Sequence, residues 1–177
     1  MKWPTFILGF VIMVPVLGTP QATSKFPTLS GKTLSGNRIN IPHRQHPQLM
    51  ILGFDMASAV PMESWVRKLN LTPSSNIHWY QIAIIGPVPP FVDGFITRGM
   101  KRSIPKNIHP FFFPYFGNKK FAILMAAQGN KTLKNKVPPF IVITRPNGHI
   151  QFSEQAEPTT VNVQRIKNII KTVDIVK

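Results

Sequence analysis

The 177-residue sequence contains no cysteine. This excludes disulfide bonds, thiolate catalysis, iron–sulfur clusters and zinc sites built on cysteine. Acidic residues are also few, with 6 Asp and Glu against 21 Lys and Arg. The sequence shows no grouping of histidine, carboxylate and nucleophile and no glycine-rich phosphate loop. We therefore expect a protein that is not an enzyme and that holds no cofactor or metal.

The formal net charge of +15 is spread from Lys25 to Lys177 and forms no dense arginine-rich run. No helix-turn-helix, zinc or RNA-binding signature accompanies it, so we expect no specific nucleic-acid partner. The charge is compatible with a protein partner, with an anionic membrane surface, or with a generally basic background that has no role. His43 and His46 lie in a basic loop without a carboxylate, and we interpret that loop as solvated rather than as a metal site.

No apolar run reaches the length of about 20 residues that a membrane-spanning helix needs. The segment Trp3–Leu17 is apolar but shorter, and it follows Met1 and Lys2 as in a secretory leader. We interpret residues 1–22 as a signal peptide or N-terminal membrane anchor and residues 23–177 as one domain. The expected location is exported, either periplasmic or anchored to the outer face of the inner membrane.

A hydrophobic fraction of 43% is sufficient for a packed core. Short continuous apolar runs predict buried strands, and apolar residues at helical spacing predict helices. The segment 119–127 fits either a strand or a strand–helix junction, and the aromatic segment 111–116 fits either a binding patch or a loop packed into the core. The remaining predictions are strands at 49–54, 77–85, 140–143 and 149–152, a strand pair or a strand followed by a turn around 34–41, and helices through Trp65, over 91–100 and over 159–173. This order predicts an α/β domain with a central mixed sheet flanked by helices.

Several short motifs carry a resemblance to a known superfamily. They are Phe26-Pro27, the run Gly31–Gly36, the pair Ser64-Trp65, GMKRSIP at 99–105, and the turn Pro146-Asn147-Gly148. With the predicted elements, they make the chain similar to the thioredoxin-like superfamily. Within it, the chain most resembles the mitochondrial ATP-synthase assembly factor family and its cysteine-lacking bacterial relatives. The resemblance implies a thioredoxin-like central mixed sheet flanked by helices.

In redox-active members of the superfamily, the cysteines lie where a strand turns into a helix. The corresponding unit of strand, turn and helix is residues 49–69 in this chain. The corresponding turn, Met56–Val60, contains no group that forms a thiolate, and its one hydroxyl, on Ser58, has no evident acid–base partner. Asp55 is either a base in an apolar pocket or a carboxylate that caps the turn, and we favour the cap. The resemblance also implies a cis-proline beside this turn, at Pro139 or alternatively Pro138.

These features predict a non-catalytic, redox-inactive exported protein that binds a membrane-associated complex as an assembly factor or chaperone. Two alternatives stay open: a thioredoxin-fold enzyme with non-cysteine chemistry, and a basic protein that binds membrane surfaces. For Arg98, Lys101 and Arg102, a purely structural role in stabilising the helix C-terminus is the simpler interpretation. The candidate partner-binding residues are Arg98, Met100, Lys101, Arg102, Phe112 and Pro139.

Overall fold

The computed structural model describes residues 24–129 and 138–174. The interpretation of residues 1–22 as a leader falls outside these ranges. Within them, no helix is both long and apolar enough to cross a bilayer. The strands are β1 (Leu29–Lys32), β2 (Arg38–Ile41), β3 (Gln48–Gly53), β4 (His78–Ile84), β5 (Phe112–Tyr115), β6 (Phe140–Thr144) and β7 (Ile150–Gln155). The helices are α1 (Ala59–Leu69), α2 (Pro90–Ser103), α3 (Lys120–Gln128) and α4 (Thr160–Asp174).

Five strands form a mixed sheet in the order β5-β4-β3-β6-β7. Strands β3, β4 and β5 are parallel, whereas β6 is antiparallel to both β3 and β7. Strands β1 and β2 pair with each other as a separate antiparallel hairpin. The predicted α/β architecture, a central mixed sheet flanked by helices, is confirmed.

All six residues of β3 are buried because both faces of the sheet are covered. Leu49 and Ile51 point to the face that packs against α1 and α4, in one cluster with Trp65. Met50 and Leu52 point to the opposite face, which packs against α3 and the β1–β2 hairpin. The period of two along a strand divides these side chains between the two halves of the core. This is why the sequence shows a continuous apolar run and no alternation.

Two predicted segments differ from the observed structure. The segment 119–127 contains no strand, and Lys120–Gln128 forms helix α3, which settles an ambiguity that a short apolar run leaves open. The aromatic segment 111–116 is no loop over most of its length, because Phe112–Tyr115 forms β5. Pro114 is compatible with this strand because β5 lies at the edge of the sheet, where a missing N–H is tolerated.

The predicted cis-proline at Pro139 is wrong. Among the described residues, the one cis peptide bond joins Ile41 and Pro42. Pro139 instead continues the pairing of β6 with β7, because its carbonyl oxygen accepts a hydrogen bond of 3.2 Å from the backbone N–H of Ala156. The alternative, Pro138, depends on its bond to residue 137, which lies outside the described residues.

Candidate functional site

The three parallel strands end at the same edge of the sheet. Gly53 of β3 lies opposite Ala83 of β4, which in turn lies opposite Pro114 of β5. The segments that follow these strands therefore leave the sheet side by side, at what we call the carboxyl edge. In open α/β sheets this edge is where ligands bind.

The turn after β3 is closed by its own side chains. Oδ1 of Asp55 accepts hydrogen bonds from the backbone N–H of Ser58 at 2.9 Å and from its hydroxyl at 3.0 Å. Asp55 is thus a turn-capping carboxylate, as we favoured from the sequence, and Ser58 is fully buried. Because the Ser58 hydroxyl is buried and donates a hydrogen bond to the Asp55 carboxylate, it forms part of the closed turn.

Large apolar side chains are exposed in the segments that follow the three parallel strands. The five that follow β3, β4 and β5, which we call the apolar edge surface, are Met56 (95% exposed), Val60 (76%), Phe91 (81%), Phe95 (75%) and Phe121 (72%). Single exposed hydrophobic residues are ordinary on a protein surface. Their concentration in segments that leave one edge of the sheet is typical of an interaction site.

No residue of helix α2 is fully buried. Its spacing places Phe91, Phe95, Arg98 and Arg102 along one exposed ridge, at i, i+4, i+7 and i+11. Val92, Ile96 and Met100 are half-buried on the opposite side. Of the predicted residues, Arg98 and Arg102 therefore lie together on the exposed ridge, whereas Met100 faces the protein.

A cleft of about 840 Å³ lies between α2, the β1–β2 hairpin and β5. Four basic residues and one acidic residue line it, namely Lys32, Arg98, Lys101, Lys119 and Asp93. In the described part of the chain, the one salt bridge joins Arg165 and Glu154, so no carboxylate lies within 4.0 Å of these four cations. The structure thus brings the predicted Arg98 and Lys101 together with Lys32 and Lys119. Sequence reasoning missed the last two because only the fold brings them to α2.

Two predicted residues do not join this group. Phe112 is a buried residue of β5 and Pro139 is buried before β6. Neither side chain is available to a partner in this structure, because the sheet that they belong to is covered on both faces.

His43 and His46 of the histidine loop stack with His78 of β4. The ring of His46 lies 4.8 Å from that of His43 and 4.6 Å from that of His78, centroid to centroid. Over the described ranges, no group of three potential ligands is placed to hold a metal ion.

No protein-family model and no curated protein matches this sequence. Among solved structures, the chain is similar to BsSco, a member of the Sco family of cytochrome c oxidase assembly proteins. The two share 13% identity over 90% of this chain and 98% of that one, with a TM-score of 0.58. It is also similar to a SCO1/SenC family lipoprotein from Bacillus anthracis, with 11% identity over 86% and 96% of the two chains and a TM-score of 0.52.

A third similar structure is a thiol:disulfide interchange protein of the thioredoxin family from Chlorobium tepidum. It shares 13% identity over 86% of this chain and 97% of that one, with a TM-score of 0.51. At these identities the likeness shows the fold alone. Together with the mixed sheet and its flanking helices, it establishes that this chain has the thioredoxin-like fold.

Proposed function

We propose that this protein is a redox-inactive, exported thioredoxin-like protein that binds a protein component of a membrane-associated complex and assists its assembly or folding. The observation that carries the proposal is the turn after β3. The resemblance places redox cysteines in this turn, and this chain places there an exposed Met56 and a Ser58 that is hydrogen-bonded to Asp55. An element of this kind offers an apolar contact surface and no reacting group.

The similar structures support the proposal at a coarser level. Two of them belong to the Sco group, one described as a family of cytochrome c oxidase assembly proteins, and one of these two is a lipoprotein. An exported protein with a thioredoxin-like fold can thus serve as an assembly protein. The closer resemblance to ATP-synthase assembly factors, carried by GMKRSIP at 99–105, makes a subunit of a membrane complex the partner that we would examine first.

Site-specific photo-crosslinking in the native host tests the proposal. A benzophenone amino acid would replace Met56 or Phe95 on the apolar edge surface, and Val161 on α4, whose exposure of 77% is close to that of Phe95, would serve as the control. We expect crosslinks to a subunit of one membrane complex from Met56 and Phe95 and not from Val161. The same pattern of crosslinks from all three positions, or thiol oxidoreductase activity in the purified protein, would contradict the proposal.

One observation favours a second function, binding to membrane surfaces. The exposed ridge of α2 carries Phe91 and Phe95 beside Arg98 and Arg102, a combination that suits the interface of an anionic bilayer. Flotation of the protein with phosphatidylglycerol vesicles tests it. Flotation that is lost in Phe95→Ser and kept in Val161→Ser would support this second function over protein binding.

A further inference from the structure

We propose that the cleft between β1 and α2 binds an extended acidic segment of the protein partner, which adds as a third strand to the β1–β2 hairpin. The inference rests on the proposed function and deepens it, because it names the chemistry and the conformation of the partner. Strand addition combines backbone hydrogen bonds along a sheet edge with side-chain contacts that select the sequence.

Half of the backbone N–H and C=O groups of β1 point away from β2. In an antiparallel pair, hydrogen-bonded and non-hydrogen-bonded residue pairs alternate along the strand. The backbone N–H of Thr33 donates to the carbonyl oxygen of Asn37 at 3.0 Å, which places Thr33, and with it Gly31, on the bonded side. The N–H and C=O groups of Ser30 and Lys32 therefore point away from β2.

That outer side of β1 is an open edge that faces the cleft. In the ranges that the structure describes, β1 pairs with β2 alone, and both Ser30 and Lys32 line the cleft. The carbonyl oxygen of Thr28, on the same side, already accepts a hydrogen bond of 2.7 Å from Nζ of Lys119. Further along the same side, the backbone N–H of Leu34 donates to the carbonyl oxygen of Phe112 at 2.9 Å. The open part of the edge therefore runs from Ser30 to Lys32, whose outward N–H and C=O groups can align a short peptide segment.

The cleft is positively charged. Lys32, Arg98, Lys101 and Lys119 surround the cleft against the single carboxylate of Asp93. The surplus of cations selects an anionic occupant, and the chain as a whole carries +15. A second copy of this chain is therefore disfavoured as the occupant by its own charge.

The cleft is closed at its floor and open at the wall that α2 forms. A Cβ atom on Gly31 would lie 2.5 Å from Cε2 of Phe113, so β1 rests directly on β5 at the floor of the cleft. On the other side, a Cβ atom on Gly94 of α2 would meet no atom within 4 Å. Glycine inside a helix is less stable than alanine by roughly 0.5–1 kcal/mol. The fold does not need Gly94, and an open wall facing β1 is what an added strand requires.

A small anion or a lipid headgroup would use the four cations and leave the edge of β1 unused. An extended peptide uses both. This difference gives the experiment its sharpest variant, Ser30→Pro, which removes an outward N–H and leaves the bonds between β1 and β2 in place, as edge strands tolerate proline. Lys101→Glu removes the charge of the cleft, and Arg67→Glu on the exposed side of α1 is the matched control for charge reversal.

The probe is a fluorescent peptide of alternating valine and glutamate, seven residues long, compared with its valine–lysine counterpart. Fluorescence anisotropy measures the dissociation constant, and hydrogen exchange measures the protection of the Ser30 and Lys32 amides. We expect binding of the glutamate peptide alone, slower exchange at both amides, and a dissociation constant about tenfold higher in Lys101→Glu and in Ser30→Pro. Arg67→Glu should bind like the wild type.

Four results would overturn the inference. Three concern the peptide: no binding of the glutamate peptide, wild-type affinity in Ser30→Pro, or equal displacement by inorganic phosphate at the same charge concentration. The fourth is flotation with anionic vesicles that is lost in Lys101→Glu but kept in Ser30→Pro and in Phe95→Ser, which would assign the cleft to lipid instead. Crosslinking from Met56 and Phe95 reports on the proposed function without involving the cleft. Crosslinks without peptide binding would thus refute this inference alone, whereas their absence would refute the proposed function.

Discussion

Replacement of Trp65 by phenylalanine tests whether the packing of α1 against the rest of the domain depends on one buried hydrogen bond. The indole ring of Trp65 is fully buried. Its Nε1–H donates to the carbonyl oxygen of Ala156 at 3.0 Å and thereby ties α1 to the segment after β7. Phenylalanine keeps an aromatic ring in the cluster and removes the donor.

Two contributions set the magnitude. The smaller ring leaves about 40 Å³ empty, which at about 24 cal/mol per Å³ destabilises the protein by roughly 1 kcal/mol. The carbonyl of Ala156, a residue only 7% exposed, is left without its partner, which adds about 1–3 kcal/mol. We therefore expect Trp65→Phe to lower the free energy of unfolding by about 2–4 kcal/mol.

Trp79 provides a matched control, because its Nε1–H also donates to a backbone carbonyl at 3.0 Å, that of Thr72. Thr72 is exposed, so water replaces the lost donor and the expected effect of Trp79→Phe is about 1–2 kcal/mol. Equilibrium urea unfolding, followed by far-ultraviolet circular dichroism because the variants remove a fluorophore, measures both. Equal destabilisation in the two variants would refute the role assigned to the buried carbonyl.

Asp55→Ala removes the acceptor of both hydrogen bonds that close the turn after β3, and we expect a loss of about 1 kcal/mol in urea unfolding, with Asp55→Ser less affected. Gly31→Ala places a methyl group against the ring of Phe113 and should destabilise the protein by about 1–3 kcal/mol. Gly94→Ala should stabilise it by about 0.5–1 kcal/mol, because no atom lies near the added methyl group. Thermal unfolding measures both, and higher stability in both variants would refute the packing of β1 on β5. Burial raises the pKa of the Tyr80 phenol above its ordinary value of 10.0, so its contribution to stability is present below pH 10 and is lost as the pH rises through the higher folded-state value. Unfolding measured from pH 9 to 11 should therefore show a steeper loss of stability in the wild type than in Tyr80→Phe, and parallel curves would contradict the burial of the phenol.

Local sequence patterns predicted most of the sheet correctly because buried strands and amphipathic helices follow distinct periods. The continuous run in β3 and the helical spacing in α1 were interpreted correctly for this reason. Helix α3 was ambiguous, since nine mainly apolar residues fit a buried strand as well as a helix. Strand β5 was missed because Pro114 argues against a strand wherever its position at the sheet edge is unknown.

Local sequence patterns predicted one part of the candidate site and missed another. Arg98, Lys101 and Arg102 could be predicted because they lie near the end of one amphipathic helix of 14 residues, and charges close together in sequence are visible without a fold. Lys32 and Lys119 could not, because they reach the cleft only once β1 rests on β5 and α3 follows it. Phe112 was a candidate partner-binding residue and is buried, which the sequence could not decide because an aromatic run has the same composition in a binding patch and in the core.

The sequence by itself determined that this protein has no thiol chemistry, a large positive charge and enough apolar residues for an α/β core. These are properties of composition and of short-range periodicity, which need no three-dimensional contacts. Only the tertiary structure decided that the segments after β3, β4 and β5 leave the sheet at one edge, and that the open edge of β1 lines a cleft together with four cations. Parallel pairing brings strand ends together from distant parts of the chain, and no local pattern encodes which segments then become neighbours.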